Sequence, residues 1–585
     1  MKIKHLFGLA VIAAMTASCS SNEDLGAAGP STGTNEAGVG YATFTINLPS
    51  TSGTRADGTP SGTPSGTPSG SPSFENGDKN EYAVKDATLL LFQKNATTGA
   101  FEYKGDVDLG NMEPWTSSDA TGITTTAKLT AKINNAKVGA NDYYALIVLN
   151  NHTTTAAKIN FPTTNQSFAE WSKIATNATD KYSEYDNGFF MANAPKYVAN
   201  GTPETLVKIK NICASKQQAE NSEATTVYVE RGLAKVSLEA GSENKHVDIA
   251  EGNYKEDKVD ITGWTLDVTN TKTYPVHVTE GLWADTWKTT VTPAATNGAT
   301  MDRFHDKLGV FPRVYWGVDP NYSTNFADVA ACEGEFNLVA NQTDLSKAFK
   351  TGEDAKKPQY CLENTFDIDH MVQGQTTRVL FSAKYKPNGI SAGETFYKMG
   401  NSSQLWNASK VEAQIKAKAM EVFNETDPDK VEVILAGTDL AKAGIHLITK
   451  ANVKHGTAEI QDADITAINT KLGFKEAKGK DPMVGLSTYV DGVSYYIARV
   501  KHFGDALTPW NPGNLTYDSN NANWLGRYGV LRNNWYELSV HSVSGPGYPD
   551  VPKVNPTDPD DVNDQYINVE VKILKWAKRS QSVDL

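Results

Sequence analysis

This sequence predicts a mainly β protein built as sandwiches, with a helical insertion in its second half. Three observations lead there. Runs rich in β-branched, aromatic and aliphatic residues recur between Gly-, Asn- and Thr-rich breaks from residue 86 to residue 545. Helical spacing is confined to the region 407–472, where Val411, Ile415, Ala419 and Val422 recur at one-turn intervals. A further strand pattern stands near each end of the chain, set apart by segments of low complexity: Ala42, Phe44, Ile46 and Leu48 alternate with polar residues in 41–49, as do Ile567, Val569, Val571 and Ile573 in 566–585. Many short strands with turn residues between them favour sandwiches over a parallel sheet.

The chain has 585 residues, too many for one core, so two or three domains are expected. With 39% apolar and 21% charged residues it is a packed globular protein, and a net charge of −13 without a basic cluster excludes a nucleic-acid partner. Besides Cys19 there are Cys213, Cys332 and Cys361. They allow at most one disulfide, with Cys332 and Cys361 the nearer pair, or equally three buried thiols.

Taken in order, Lys2, Lys4 and His5 precede an apolar run from Leu6 to Met15 that is too short to span a membrane as a mature helix. Small residues then lead to Cys19, so 1–19 resembles a lipoprotein signal with Cys19 as the lipidated residue; Thr16 stands where a leucine is usual. An ordinary secretory peptide is the plainer alternative. Residues 20–39 are a solvated spacer before the strand 41–49. Arg55 then heads a flexible, protease-accessible stretch of SGTP repeats in 56–80. Strands are expected at 86–93, 142–151, 225–240, 259–278, 376–387, 486–503 and 535–545, and helices at 407–423, 437–448 and 461–472. Asp491-Gly492 reads as a type I′ hairpin turn. The Pro/Asp-rich segment 546–565 reads as a stiff acidic tether that neither continues a sheet nor forms a core. It keeps the final strand away from its own domain, unless that strand is simply the last of the second domain. An unpaired strand with an apolar face needs a partner sheet.

Several strings in this order resemble the major fimbrillins of Bacteroidales, the stalk subunit of the short-fimbria type in particular. They are the start at Cys19, the strand 41–49 with TRADG at 54–58, FFMANAP at 189–195, VERGLAKV at 229–236, WTLDVTNTKTYPV at 264–276, RYGVLRNNWYELSVHSVSGPGYP at 527–549 and VEVKILKWAKRSQSVDL at 569–585. The resemblance implies two transthyretin-like β-sandwich domains, at 81–226 and 227–545, and a donor strand at 566–585 that includes Trp576. It implies export as a lipoprotein anchored in the outer membrane, then cutting between Arg55 and Ala56 by an arginine-specific or trypsin-like protease. Residues 20–55 would leave with their strand, and the C-terminal strand of a second copy would fill the groove by strand addition. Implied partners are copies of the same chain and accessory anchor and tip subunits, in a surface fimbrium that mediates adhesion. No cofactor or metal is implied.

Catalytic motifs are lacking: there is no His-Glu-x-x-His, Cys-x-x-Cys, Gly-x-Ser-x-Gly or phosphate loop. Asp367, Asp369 and His370 cluster in FDIDHM, where a strand would point them to different sides, and solvated loop residues are the simpler reading. The alternative function is a surface-anchored glycan-binding lipoprotein using Trp264, Trp283 and Trp287 as stacking platforms, against which core packing is the bland reading.

Overall fold

The chain passes from one set of sheets to the next at Gly232, and the sequence shows why. Thr225–Arg231 and Leu233–Leu238 are both rich in branched residues, and the glycine between them is where the ladder partners change. The structure is a computed structural model that describes residues 38–49, 79–110, 116–117, 123–134, 136–151, 159–177, 188–198, 202–279, 304, 311–342, 344–478, 481–503, 508, 524–561 and 567–575. Among these residues the architecture is mainly β.

The first sheet runs in space through Phe101–Gly110, Ala87–Lys94, Tyr143–Leu149, Met191–Asn193, Thr225–Arg231, Val39–Pro49, Ile123–Asn134 and Thr116–Ser117. Alternate residues of these strands (Phe44, Ile46, Leu89, Leu91, Ile133, Ala145, Ile147, Val227 and Val229) form one buried core. Beyond Gly232, Leu233–Leu238 lies between Gln359–Leu362 and Asn534–Val543, and Ile567–Lys575 closes that sheet at its edge. A second sheet of His246–Asp248, Lys258–Asp267, Arg378–Lys386 and Val493–Arg499 faces it. Val236, Leu538 and Val540 from one sheet meet Val259, Ile261, Val379, Phe381 and Tyr496 from the other in a shared core.

Between Arg378–Lys386 and Val493–Arg499 the chain builds a small unit with its own core. Helix Ala408–Phe423 turns Val411, Ile415 and Ala419 onto Val431, Leu440, Val453, Ile468 and Leu486. Asn407 caps its first turn by accepting from the Lys410 amide, and Asn424 ends it in the left-handed region at φ 50°. The second helix is Asp462–Lys471.

Four expectations need correction. The domain boundary after residue 226 is displaced to Gly232, because Thr225–Arg231 pairs wholly with strands of the first sheet. The segment 437–448 is not a helix: Asp439–Ala441 is one 3-10 turn and Gly444–His446 is a strand paired with Leu486–Tyr489. Asp491 and Gly492 do take positive φ, at 51° and 70°, but they make a corner rather than a hairpin. Leu486–Tyr489 before them pairs with Phe396–Met399, and Val493–Arg499 after them pairs with Arg378–Lys386. Finally, 546–561 is not a solvated tether. Val551 packs with Phe349, Leu380 and Ile497, and Val554 packs with Val268, Phe326 and Leu338. Proline and aspartate limit ladder bonding, yet apolar residues between them still fill pockets, and the acids are buried where arginines meet them.

Candidate functional site

The first strand, Val39–Pro49, sits inside its sheet rather than beside it. It pairs antiparallel with Ile123–Asn134 along its length, and parallel with Thr225–Tyr228 through Phe44–Asn47. Ala42, Phe44, Ile46 and Leu48 are all fully buried in the first core. The opposite face is covered as well. Thr43 donates from Oγ1 to the Ala219 carbonyl at 2.8 Å, beneath helix Lys216–Asn221, and meets Thr130 Oγ1 at 2.7 Å. Asn47 Oδ1 accepts from Thr126 Oγ1 at 2.6 Å, and Tyr41 exchanges backbone bonds with Cys213. Gly40 is held so closely that a Cβ there would lie 2.5 Å from Ile212 Cγ2.

Taking this strand out would uncover the core it fills and leave two walls with open backbone groups, Ile123–Asn134 and Thr225–Tyr228. Burial of Phe44, Ile46 and Leu48 contributes roughly 1.5–3 kcal/mol each. Unpaired backbone groups left in the groove would be costly besides. The wall Ile123–Asn134 was not foreseen from the sequence. Its signal is present: Ala127, Leu129, Ala131 and Ile133 alternate with Thr126, Lys128, Thr130 and Lys132.

The terminal strand, Ile567–Lys575, lies antiparallel on Asn534–Val543, with Val569 opposite Val540, Val571 opposite Leu538 and Ile573 opposite Tyr536. Val569 is buried in the second core. The strand is therefore seated on its own subunit, contrary to the expectation that its tether keeps it away. A free edge of the sheet and the fit of Val569 to the second core explain why it settles there. The two strands singled out from the sequence are thus not brought together: each completes a different sheet. Cys19, Arg55, Ala56 and Trp576 lie outside the described residues.

The segment leading to the terminal strand is docked by buried charge pairs. Asp560 meets Arg499 Nε at 3.0 Å and accepts from Thr376 Oγ1. Burial pushes the Asp560 carboxyl up to about 7 even with Arg499 beside it. Asp561 takes both oxygens to Arg527 Nε at 2.9 Å and accepts from Tyr528 Oη at 3.0 Å. Arg378 donates to the Pro552 carbonyl at 2.6 Å while paired with Asp267 at 2.8 Å.

A second buried cluster joins the two sets of sheets. Lys235 Nζ lies 2.7 Å from Glu81 Oε1, Tyr360 donates to the same oxygen, and Arg231 Nε donates to the Glu81 carbonyl at 2.6 Å. Burial alone would raise the Glu81 carboxyl, but Lys235 and Arg231 together outweigh it and hold the group below its ordinary range. Arg231 also reaches Asn533 Oδ1 at 3.2 Å, directly before the strand that carries the terminal one.

Asp367 and His370 do not form a strand. Asp367 caps the turn Ile368–His370, accepting from the Asp369 and His370 amides, and meets His370 Nδ1 at 2.5 Å. Among the described residues no group of three or more His, Cys, Asp or Glu converges as a metal site requires. Cys332 and Cys361 are buried free thiols, pushed up by burial to about 11 and about 12, so that pair is not a disulfide. Trp264 is a core residue whose Nε1 donates to the Ala355 carbonyl at 2.7 Å. Trp283 and Trp287 lie outside the described residues, and none of the described tryptophans is exposed.

Residues 487–582 match the family model for the major fimbrial subunit protein type IV, fimbrillin, C-terminal. The matched span holds Asn534–Val543, the docked segment and the terminal strand, so the part that matches the model is also the part just described. No curated protein matches the chain. Among solved structures the chain is similar to a putative cell adhesion protein from Parabacteroides distasonis ATCC 8503 at 10% identity and TM-score 0.37, covering 92% of this chain and 98% of that one. It is also similar to a fimbrilin (fimA) from Porphyromonas gingivalis W83 at 12% identity and TM-score 0.34, covering 92% and 100%. The tip fimbrial protein Mfa3 from Porphyromonas gingivalis, with C-terminal truncation, is similar at 11% identity and TM-score 0.27, covering 92% and 100%.

Proposed function

We propose that this fimbrillin-type chain is the structural stalk subunit of an adhesive surface fimbria. It is exported as an outer-membrane lipoprotein through Cys19 and cut after Arg55 by an arginine-specific or trypsin-like protease. It polymerises when the C-terminal strand of another copy enters the groove vacated by residues 39–49. Anchor and tip subunits would begin and end the polymer.

The observation that carries this reading is the position of the first strand. It is an interior strand of the first sheet, yet it precedes Arg55 and the SGTP stretch, so one cut separates it from the body that it completes. The incoming strand carries the same set, four apolar residues at alternate positions: Ile567, Val569, Val571 and Ile573 in place of Ala42, Phe44, Ile46 and Leu48. Of the three tryptophans offered for glycan stacking, Trp264 is a core residue and so gives that alternative no support.

Treating purified full-length protein with a trypsin-like protease should yield Ala56 as the new N-terminal residue and SDS-resistant ladders on gels. The variant Arg55→Gln should stay uncut there and monomeric. Monomers that persist after verified cutting would sink the reading.

A further inference from the structure

The docked segment 546–561 has no counterpart in a freely swinging tether. Tyr548 exchanges two backbone bonds with Tyr495, at 2.9 and 2.8 Å. Arg378 holds the Pro552 carbonyl, and Val551 and Val554 plug separate apolar pockets. Pro556 lies against Gly374 so tightly that a Cβ on that glycine would be 2.6 Å from the Pro556 Cα. The Gln373 amide donates to the Asp558 carbonyl at 2.9 Å, and the Asp560 amide to the Met371 carbonyl at 3.1 Å. The run of contacts culminates in the buried pairs of Asp560 with Arg499 and Asp561 with Arg527. Undocking would take their carboxylate partners from Arg499 and Arg527, each under a tenth exposed. Breaking such a pair from one side is strongly unfavourable. Among the described residues, the terminal strand itself is held on one edge only.

We propose that Asp560 and Asp561 fix the point at which the C-terminal arm leaves its own subunit, so that 546–561 stays docked in the polymer and only the residues beyond it are handed to the neighbour. The proposal rests on the strand-exchange reading above. Its consequence is geometric. From Asp561 to Ile567 the chain can span about six residues, or ~20 Å fully extended, so the neighbour's groove must begin within that reach. Were 546–561 released as well, the arm would lengthen by about 16 residues, roughly 55 Å, and the spacing of subunits would be loosely set. Asp560 and Asp561 are in this sense positioning residues for assembly.

Two engineered disulfides separate the possibilities. Val372 and Pro559 form an antiparallel bridge flanked by the bonds between 371 and 560 and between 373 and 558, a narrow pair about 4.5 Å apart at Cα. That lies within disulfide range, so Val372→Cys with Pro559→Cys locks the docked segment. Glu537 faces Lys572 across the terminal ladder, so Glu537→Cys with Lys572→Cys locks the strand itself. After the cut at Arg55, the oxidised segment lock should form ladders to the same extent as the unmodified chain, within about twofold. The oxidised strand lock should form none until it is reduced. A segment lock that blocks assembly until reduction overturns the proposal. An unmodified chain that fails to assemble, or a strand lock that assembles while oxidised, overturns instead the strand-exchange reading on which it rests. Hydrogen exchange of 546–561 gives a readout without new cysteines: its protection should be the same in polymer and monomer, and a tenfold or greater loss on assembly counts against the docked segment.

Discussion

The first and terminal strands share one sequence pattern and occupy opposite kinds of site. Val39–Pro49 has a neighbour on each edge and cover on both faces, whereas Ile567–Lys575 has one neighbour among the described residues, Asn534–Val543, and ends its sheet. Alternation therefore specifies a strand with an apolar face but not how many ladders the strand joins. That number decides what happens when it leaves. Removal of an interior strand opens a core, while removal of an edge strand exposes one ladder and one face. Under the proposed exchange the terminal strand moves from a site with one ladder to a site with two. Each additional hydrogen bond contributes about 0.5–1.5 kcal/mol net, which gives the transfer a direction once the groove is empty.

The largest test of this contrast removes the edge strand altogether. A chain lacking 566–585 should fold with its second core intact apart from the patch around Val569, and after cutting it should form no ladder at all. Circular dichroism and gel electrophoresis on the same sample check both halves. A truncated chain that still polymerises would end the assignment of the donor. One that unfolds would end the contrast, because the terminal strand would then be as necessary to its sheet as the first.

Point substitutions sharpen the same contrast. In the uncut subunit Phe44→Ala should destabilise the first sheet by about 3–5 kcal/mol, as for a fully enclosed aromatic side chain. Val569→Ala removes the equivalent of two methylenes at an edge and should cost about 1–2 kcal/mol. Denaturant melts of both variants, compared with the parent chain, give the ratio. Equal losses would mean that the edge strand is as firmly built in as the interior one.

How much of this was legible in the sequence depends on the range of the forces involved. Strands such as Tyr143–Leu149 and Arg378–Lys386 were readable because β-branched and aromatic residues declare themselves locally. Ile123–Asn134 was overlooked because threonine and lysine mask its alternate apolar residues, although the period is intact. The corner at Asp491-Gly492 shows the same limit from the other side. Positive φ follows from the two residue types, but whether the strands around it pair with each other is fixed by distant partners. The docking of 546–561 was the least readable feature. Its aspartates look like solvated charge until Arg499 and Arg527 are placed beside them, and nothing in the local composition announces that pairing. The strand at 41–49 was legible by pattern, but its interior place depends on Ile123–Asn134 and Thr225–Arg231, both remote in the chain.

The smallest effect concerns the cluster that ties the first sheet to the second. Glu81 is fully enclosed, and its carboxyl is held below the ordinary range by Lys235 and Arg231 against the opposing effect of burial. A carboxyl lowered on folding contributes stability that is present above its unfolded value, near 4.5, and that is lost as pH falls through the lower folded value. Glu81→Gln keeps the shape and removes the charge, so it should destabilise the parent at neutral pH and make stability less steeply dependent on pH below about 4.5. Because Arg231 also holds Asn533 at the head of Asn534–Val543, the loss should be felt on both sides of Gly232. Hydrogen exchange at neutral pH should then quicken in Thr225–Arg231 and in Asn534–Val543 together, and quickening confined to one of them would show that the two strands are held independently.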